Sequence, residues 1–321
     1  MSIQNPIAHI LYENADWLPP LVAGLEAEGF TVRLVELTTG LLEGGSIPAE
    51  GIWINRVSPS SHTRGHANTV QLARDVLYWL EFHGRRVING LDAYEFEMSK
   101  LRQDLILNRY DIRTPKTVLA VGKASVVDAA THFSGPFITK HNQGGKGLGI
   151  HLFRSQEALK AYVYSDDFDA GPDGKIILQE YIDAPHAYIT RVELIGDQFL
   201  FAMRSNTEQG FQLCPSDACQ IPEDAGVCPA EGPSSKFSLS PLTEDDPLIQ
   251  KYLKMIQSEG IDIAGIEFIE DGDGHRYTYD INGTTNYSGV LAEQTGIDGM
   301  REFARWLRES EDTRAQLKRA S

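Results

Sequence analysis

The chain has 321 residues and a formal net charge of −16, with 41% hydrophobic and 23% charged residues. That length builds one large or two to three small domains with a buried core. The acidic balance excludes nonspecific binding to nucleic acid or anionic membrane, which needs a basic footprint. No run approaches the roughly 18 apolar residues of a membrane span. Met1–Pro6 has neither the basic segment nor the apolar core of a signal peptide. Cys214, Cys219 and Cys228 fit no common zinc spacing and read as reduced thiols, so the expected location is cytoplasmic.

From the N-terminus, Ile7 to Tyr12 is predicted as a strand, followed by a helix over Trp17 to Glu28 with Asp16 as N-cap and Gly29 as stop. Thr31 to Leu37 alternates as a strand, and Ile52 to Ile54 reads as a buried one. A polar loop runs from Asn55 to His66, a helix from Ala67 to Phe82, and a strand from Arg86 to Asn89. This βαβ rhythm predicts a parallel sheet with helices on both faces. Ligands in such sheets bind beyond the carboxyl ends of the strands. Arg56, Ser58, Ser61, His62, Arg64 and His66 stand in such a place.

A helix is expected over 98–109, a strand over Thr117 to Ala120 and a helix over Lys123 to Phe133. The strand Phe137-Ile138-Thr139-Lys140 then leads through the glycine-rich segment Gly144-Gly145-Lys146-Gly147-Leu148-Gly149 into a second apolar run, Ile150 to Phe153. Glycine tolerates positive φ, so such a loop turns backbone N–H groups inward over an anion, and the lysine adds a point charge. The same composition also makes an ordinary hairpin turn. The order strand–loop–strand differs from the strand-to-helix phosphate loops.

A helix over Ser155 to Tyr164 and a strand over Ile176 to Ile182 follow, then a hairpin of Ala187 to Ile195 with Gln198 to Ser205 turning at Gly196-Asp197. Residues 206–243 read as a long loop. A helix from Pro247 to Glu259 precedes strands over 261–270 and 275–281. A final helix over 298–309 carries Phe303, Trp306 and Leu307 on one face as core packing.

The last strand pair holds Glu267 on one strand and Asp280-Ile281-Asn282 on the other. Residues i and i+2 share a face, so Asp280 and Asn282 stand side by side with Glu267 able to face them. Two carboxylates and an amide suit a hard cation. An isolated D-x-N can equally cap a turn at a strand end.

Taken in order, Lys100, Lys140 with its glycine segment, Gln179-Glu180-Tyr181-Ile182, Arg191, Arg204, Glu267 and Asp280-Ile281-Asn282 resemble the ATP-grasp superfamily. The closest likeness within it is to RimK and glutathione-synthetase-type carboxylate–amine ligases. The resemblance covers roughly residues 50 to 300. It implies an α/β fold with α+β subdomains: a pre-ATP-grasp parallel-sheet domain (1–97), a central subdomain with a glycine-rich flap (98–184), and a C-terminal metal-bearing subdomain (185–321).

The resemblance further implies roles. Lys100 and Lys140 hold ATP phosphates, and Gly144, Gly145, Lys146, Gly147 and Gly149 close over them. Backbone groups from Glu180 through Tyr181 to Ile182 meet the adenine edge, with Gln179 also in the ATP site and Asp183 toward the ribose. Glu267, Asp280 and Asn282 bind two Mg2+ (or Mn2+) ions, and Arg191 and Arg204 stabilise the transferring phosphoryl group. The implied reaction turns a carboxylate into an acyl phosphate and then, with an amine, into an amide.

Two departures from the RimK pattern bear on substrate. Ile189 stands where an acid often precedes the arginine by two residues, and Gly283-Thr284-Thr285-Asn286-Tyr287 replaces Ser-Pro-Gly. Thr284, Thr285, Asn286 and Tyr287 are therefore substrate candidates, together with Arg56, Ser58, Ser61 and Arg64. Arg56 and Arg64 would clamp a carboxylate jointly or pair with local acids.

The expected partners are small carboxylate and amine substrates, an amino acid or peptide among them, with a homodimer or homotetramer implied by the resemblance. The alternatives are a small-molecule kinase using the same nucleotide site and a non-catalytic nucleotide-binding regulator. A dinucleotide dehydrogenase is excluded because no G-x-G-x-x-G follows the first strand.

Overall fold

The computed structural model describes residues 5–144, 149–186, 188–207, 237–287, 292 and 295–320. Its strands form three sheets among the described residues. Cys214, Cys219, Cys228 and most of the long loop lie outside them, as do Gly145, Lys146 and Gly147. None of the described helices is long and apolar enough to cross a membrane.

The first sheet contains β1 (Ile7–Tyr12), β2 (Thr31–Glu36), β3 (Ile52–Arg56) and β4 (Arg86–Ile88), all parallel, in the order β2-β1-β3-β4. Every residue of β3 is buried, as expected of a strand covered on both faces. Helix α1 (Pro19–Ala27) follows a 3-10 turn over Ala15–Trp17. Asn14, not Asp16, caps that turn by accepting the Asp16 N–H at 3.2 Å. Pro19 at the helix start accounts for the later onset of α1, because proline suits the first helical position. Helix α2 is Thr69–Phe82, and the polar loop before it winds into a 3-10 segment, Pro59–Arg64, capped by Ser58.

One helix was not foreseen: α3, Leu91–Glu97, precedes α4, Lys100–Arg109. Ser99 caps α4 by accepting the Arg102 N–H. Gln103 then pins α4 to the end of the metal-candidate strand. Its Nε2 donates to the Ile281 carbonyl at 2.9 Å and its Oε1 accepts the Ile281 N–H at 3.0 Å.

The second sheet is antiparallel, with β5 (Thr117–Val121), β6 (Phe137–His141), β7 (His151–Phe153) and β8 (Lys175–Glu180) ordered β5-β8-β6-β7. Helices α5 (Lys123–Ala129) and α6 (Gln156–Val163) close its core around Phe137, Phe153, Leu159 and Leu178.

The third sheet is also antiparallel, ordered β11-β10-β9-β12-β13. Its strands are β9 (Tyr188–Ile195), β10 (Gln198–Asn206), β11 (Phe237–Leu239), β12 (Ile263–Glu270) and β13 (Arg276–Asn282). Strand β11 lies in what the sequence suggested was loop. Helix α7 (Pro247–Ser258), capped by Asp246, buries Tyr252 and Ile256 against one face.

The last helix, α8 (Gly299–Ala320), is longer than its apolar stripe predicted. Phe303 and Leu307 are buried in the cluster that also holds Ile10 and Leu25 of the first unit and Ile195 and Ile263 of the third sheet. Each such side chain contributes about 1.5–3 kcal/mol by burial. Gly24 permits this approach, because a Cβ there would lie 3.0 Å from the Met300 carbonyl oxygen. The C-terminal helix thus ties the third sheet to the first.

Candidate active site

Two lysines from different elements meet the end of β13. Lys100, at the start of α4, donates to Asp280 Oδ1, and Lys140, near the end of β6, donates to the Tyr279 carbonyl at 3.3 Å. Both are buried. Burial holds Lys140 down to about 7, with Lys100 adding to the shift and Glu267 and Asp104 opposing it. Burial also lowers Lys100 to about 8, against the pull of Glu97 and Glu267. Paired cations with incomplete local compensation favour an anionic ligand.

The three expected metal ligands come together. Glu267 pairs directly with Asp280 across β12 and β13, and Gly265 with Asn282. The ladder then slips, so that Phe268 pairs with Thr278 and Tyr279 becomes an extra residue. Such a bulge re-aims side chains beside a site. Here it brings the Tyr279 hydroxyl to Glu267 Oε2, at 3.0 Å, while Asp280 stays opposite Glu267. Asn282 Nδ2 donates to Asp280 Oδ2 at 3.1 Å. Two carboxylates and an amide on one strand pair are a donor set that suits a hard divalent cation.

Arg191 reaches the same face from β9, where its register partner is Glu267. Its Nη1 donates to Glu267 Oε1 at 2.8 Å, its Nε to Glu193 Oε1 at 2.6 Å and its Nη2 to Thr285 Oγ1 at 2.7 Å. Burial works against its charge, but Glu193 and Glu267 outweigh that and hold its pKa above the ordinary value. Arg204 is placed otherwise. It pairs with Thr190 while Met203 pairs with Arg191, so alternation puts Arg204 on the opposite face. There its guanidinium lies over the Tyr188 ring, 4.5 Å from the centroid. The structure does not bring it to the Glu267–Asp280 cluster.

At the C-terminal end of β8, Gln179 is buried and donates to Thr117 Oγ1 at 2.9 Å, and the exposed Glu180 accepts the Lys116 N–H. Tyr181, Ile182 and Asp183 leave the strand toward β9, with Asp183 exposed. Gly144 and Gly149 stand on either side of residues 145–148, at the connected end of the β6–β7 pair. Gly149 has φ +73°, and a Cβ there would lie 2.9 Å from the His141 ring.

The two substrate segments foreseen separately meet. Arg56, at the end of β3, donates through Nη1 to the Thr285 carbonyl at 2.9 Å and through Nη2 to Asn286 Oδ1. Thr284 donates from N (3.2 Å) and Oγ1 (2.9 Å) to Glu97, whose pKa burial raises. The Tyr287 hydroxyl is buried without a hydrogen-bond partner, as is Arg56 Nε. Arg64 does not join Arg56 in a clamp. It pairs with Glu13, donates to Ser60 Oγ at 3.2 Å and stacks over Trp17. The local acid wins because the side chain of Glu13, just after β1, is fully buried and needs a cation. Ser58 serves the 3-10 cap, accepting the Ser60 N–H, and Ser61 is fully buried.

Glu193, Glu97 and Tyr279 were missed by sequence reasoning. The spacing Arg191-x-Glu193 within a strand could have indicated the first. The others needed the tertiary fold.

Residues 98–213 match the RimK-like ATP-grasp domain family model. A probable alpha-L-glutamate ligase 1 of Shewanella frigidimarina is 23% identical over 268 residues, 79% of this chain and 82% of its own length. A RimK domain ATP-grasp protein of Sphaerobacter thermophilus superposes with TM-score 0.64 at 15% identity, covering 93% of this chain and 98% of its own. D-alanyl-alanine synthetase A of Vibrio cholerae gives TM-score 0.65 at 14% identity, with 96% and 99% covered. Residues 98–213 thus carry a RimK-like ATP-grasp domain, and the three-sheet architecture of the described residues has the fold of the ATP-grasp proteins on which it superposes.

Proposed function

We propose that this protein joins a carboxylate to an amine through an acyl phosphate, with an amino acid as one substrate, releasing ADP and phosphate. The observation that carries the reading is the convergence of Lys100 and Lys140 on a strand end bearing Asp280 opposite Glu267, with Arg191 on the same face. Cations for a polyphosphate, oxygens for a metal and a fixed guanidinium are the parts that phosphoryl transfer to a carboxylate requires. Names of similar proteins, a glutamate ligase and a D-alanyl-alanine synthetase, support the amino-acid substrate.

In this reading residues 1–97, 98–184 and 185–321 form the pre-ATP-grasp, central and C-terminal units, with ATP between the last two. Glu180 to Ile182 meet the adenine edge, with Gln179 also in the ATP site, and Asp183 approaches the ribose. Lys100 and Lys140 bind the phosphates as mobile point charges. Glu267, Asp280 and Asn282 hold two Mg2+ ions, whose chemistry is to neutralise phosphate charge. Arg191 meets the charge that grows on the transferring phosphoryl group. Arg56 fixes the loop Thr285–Asn286 and, through its remaining Nε–H, faces the acid or amine substrate beside the Tyr287 hydroxyl. Arg204 and the flap glycines act from the periphery, Arg204 through the Tyr188 strand and the glycines by excluding water from the acyl phosphate.

The test is ADP formation from Mg–ATP against pooled amino acids and small carboxylic acids, with mass spectrometry of each active pool. A product lighter by one water than its two substrates establishes the ligase. A stable phosphate adduct would mean a kinase instead.

A further inference from the structure

Glu193 is a buried carboxylate that no part of the reaction outlined above uses, and it touches both halves of the site. It sits on β9 two residues after Arg191, hence on the same face. Its Oε1 accepts from Arg191 Nε at 2.6 Å, and both its oxygens accept from Thr285 Oγ1 at 3.1 Å. Thr285 in turn accepts from Arg191 Nη2, and its carbonyl is held by Arg56. A closed ring therefore runs from Glu193 through Arg191 to Thr285 and back.

The same guanidinium lies against Gly265. A Cβ at that position would come 2.6 Å from Arg191 Cζ, so glycine leaves the space the guanidinium fills. Gly265 is also the register partner of Glu193. The position of Arg191 is thus set in two ways, by a carboxylate that holds Nε and by the space a missing side chain leaves. With Nε and Nη2 engaged, Nη1 is turned toward Glu267. A planar fork with two of its three nitrogens anchored has little freedom left.

We infer that Glu193 is a positioning residue for phosphoryl transfer: it orients the Arg191 guanidinium and, through the Thr285 hydroxyl, couples that orientation to the substrate loop Thr284–Tyr287. The inference rests on the ligase reading, in which Arg191 meets charge formed in the transition state. Glu193 touches neither nucleotide nor substrate and acts through Arg191. Its loss leaves ground-state nucleotide binding alone and weakens binding of a transition-state mimic.

The probes are Mg–ADP alone and Mg–ADP with aluminium fluoride, a mimic of the transferring phosphoryl group. Titrations would use the full-length protein and its Glu193→Gln, Gly265→Ala and Arg191→Met variants, with thermal unfolding as a check of fold. Wild type is expected to bind the fluoride complex about 100-fold more tightly than Mg–ADP, the lower end for such analogues. Glu193→Gln and Gly265→Ala, one removing a charged acceptor and the other adding a methyl group against the guanidinium, should each lose at least about tenfold of that tightening while Mg–ADP affinity stays within about threefold. The double variant should lose no more than the worse single one, since both act on one guanidinium. Tightening kept in both single variants but lost in Arg191→Met overturns the role of Glu193 and leaves the ligase reading standing. No tightening in wild type, or tightening retained in Arg191→Met, overturns the role of Arg191 itself. If Glu193→Gln does not fold, Glu193→Asp decides in its place, because it keeps the charge and withdraws the carboxylate from Arg191 Nε: loss of tightening supports the role of Glu193 and full tightening overturns it.

Discussion

The lysine side and the arginine side of the site are equally buried, yet burial has opposite outcomes there. Lys140 and Lys100 are held at about 7 and about 8, while Arg191 is held above its ordinary value. The difference lies in the company each keeps. Arg191 donates to two carboxylates and a hydroxyl, which repay its desolvation. Lys140 has a carbonyl oxygen, the Tyr279 ring and another lysine nearby. One side is a finished network that fixes a geometry. On the other, Lys100 pairs with Asp280 while Lys140, among the described residues, donates to a carbonyl alone, and the charge it lacks is what an incoming polyphosphate would supply.

The largest effect that would break this contrast is expected from Arg191→Met. Removing the cation leaves Glu193 and Glu267 without it, at a cost of about 3–5 kcal/mol in stability. Turnover should fall by roughly 10²–10³ while ATP affinity holds. Denaturant unfolding and steady-state kinetics on the same preparation check both. A stable variant with normal turnover would put Arg191 outside the chemistry.

Lys140→Met should behave inversely. ATP affinity is expected to drop roughly 10- to 100-fold, the worth of a charged hydrogen bond, while stability is kept or gained. The sign follows from linkage. A lysine whose folded pKa is about 7, below its unfolded 10.5, binds fewer protons folded than unfolded between those values. Its contribution to stability therefore rises with pH across that window and is unfavourable below it. Unfolding free energies of wild type and variant should converge as pH rises from 7 toward 10, and parallel curves would contradict the assignment.

A smaller effect sharpens the same point. At pH 8 the nucleotide should bind with uptake of up to about one proton at Lys140, since phosphate raises the depressed pKa. At pH 6 the uptake should vanish. Calorimetry in buffers of different ionisation enthalpy reads this directly, and Lys140→Met should abolish it.

The smallest expected effects on catalysis separate two arginines that looked alike in sequence. Arg56→Met should raise the KM of the acid or amine substrate and spare ATP affinity, because Arg56 holds Thr285 and Asn286. Arg64→Met should leave both constants unchanged and act on stability alone, costing about 3 kcal/mol, because it takes a cation from the buried Glu13 carboxylate. The reverse pattern in KM would exchange their roles.

What the sequence determined by itself was whatever has a local period or an ordered set of motifs. The βαβ rhythm predicted the parallel sheet, and the turn at Gly196-Asp197 predicted the β9–β10 hairpin. The i, i+2 rule put Asp280 and Asn282 on one face, and their direct pairing with β12 confirmed that Glu267 faces them. Only the tertiary structure decided how lone charges are partnered. Arg64 found Glu13, 51 positions away, and Arg56 found Asn286, 230 away. Arg204 fell on the far face because the strand register, which no single strand encodes, set its side. The bulge that delivers Tyr279 to Glu267 arises from a slip between two strands. Periodicity is a property of one segment and survives in its sequence. Charge compensation in a low-dielectric interior is a property of the segments packed together, and it exists only once they have met.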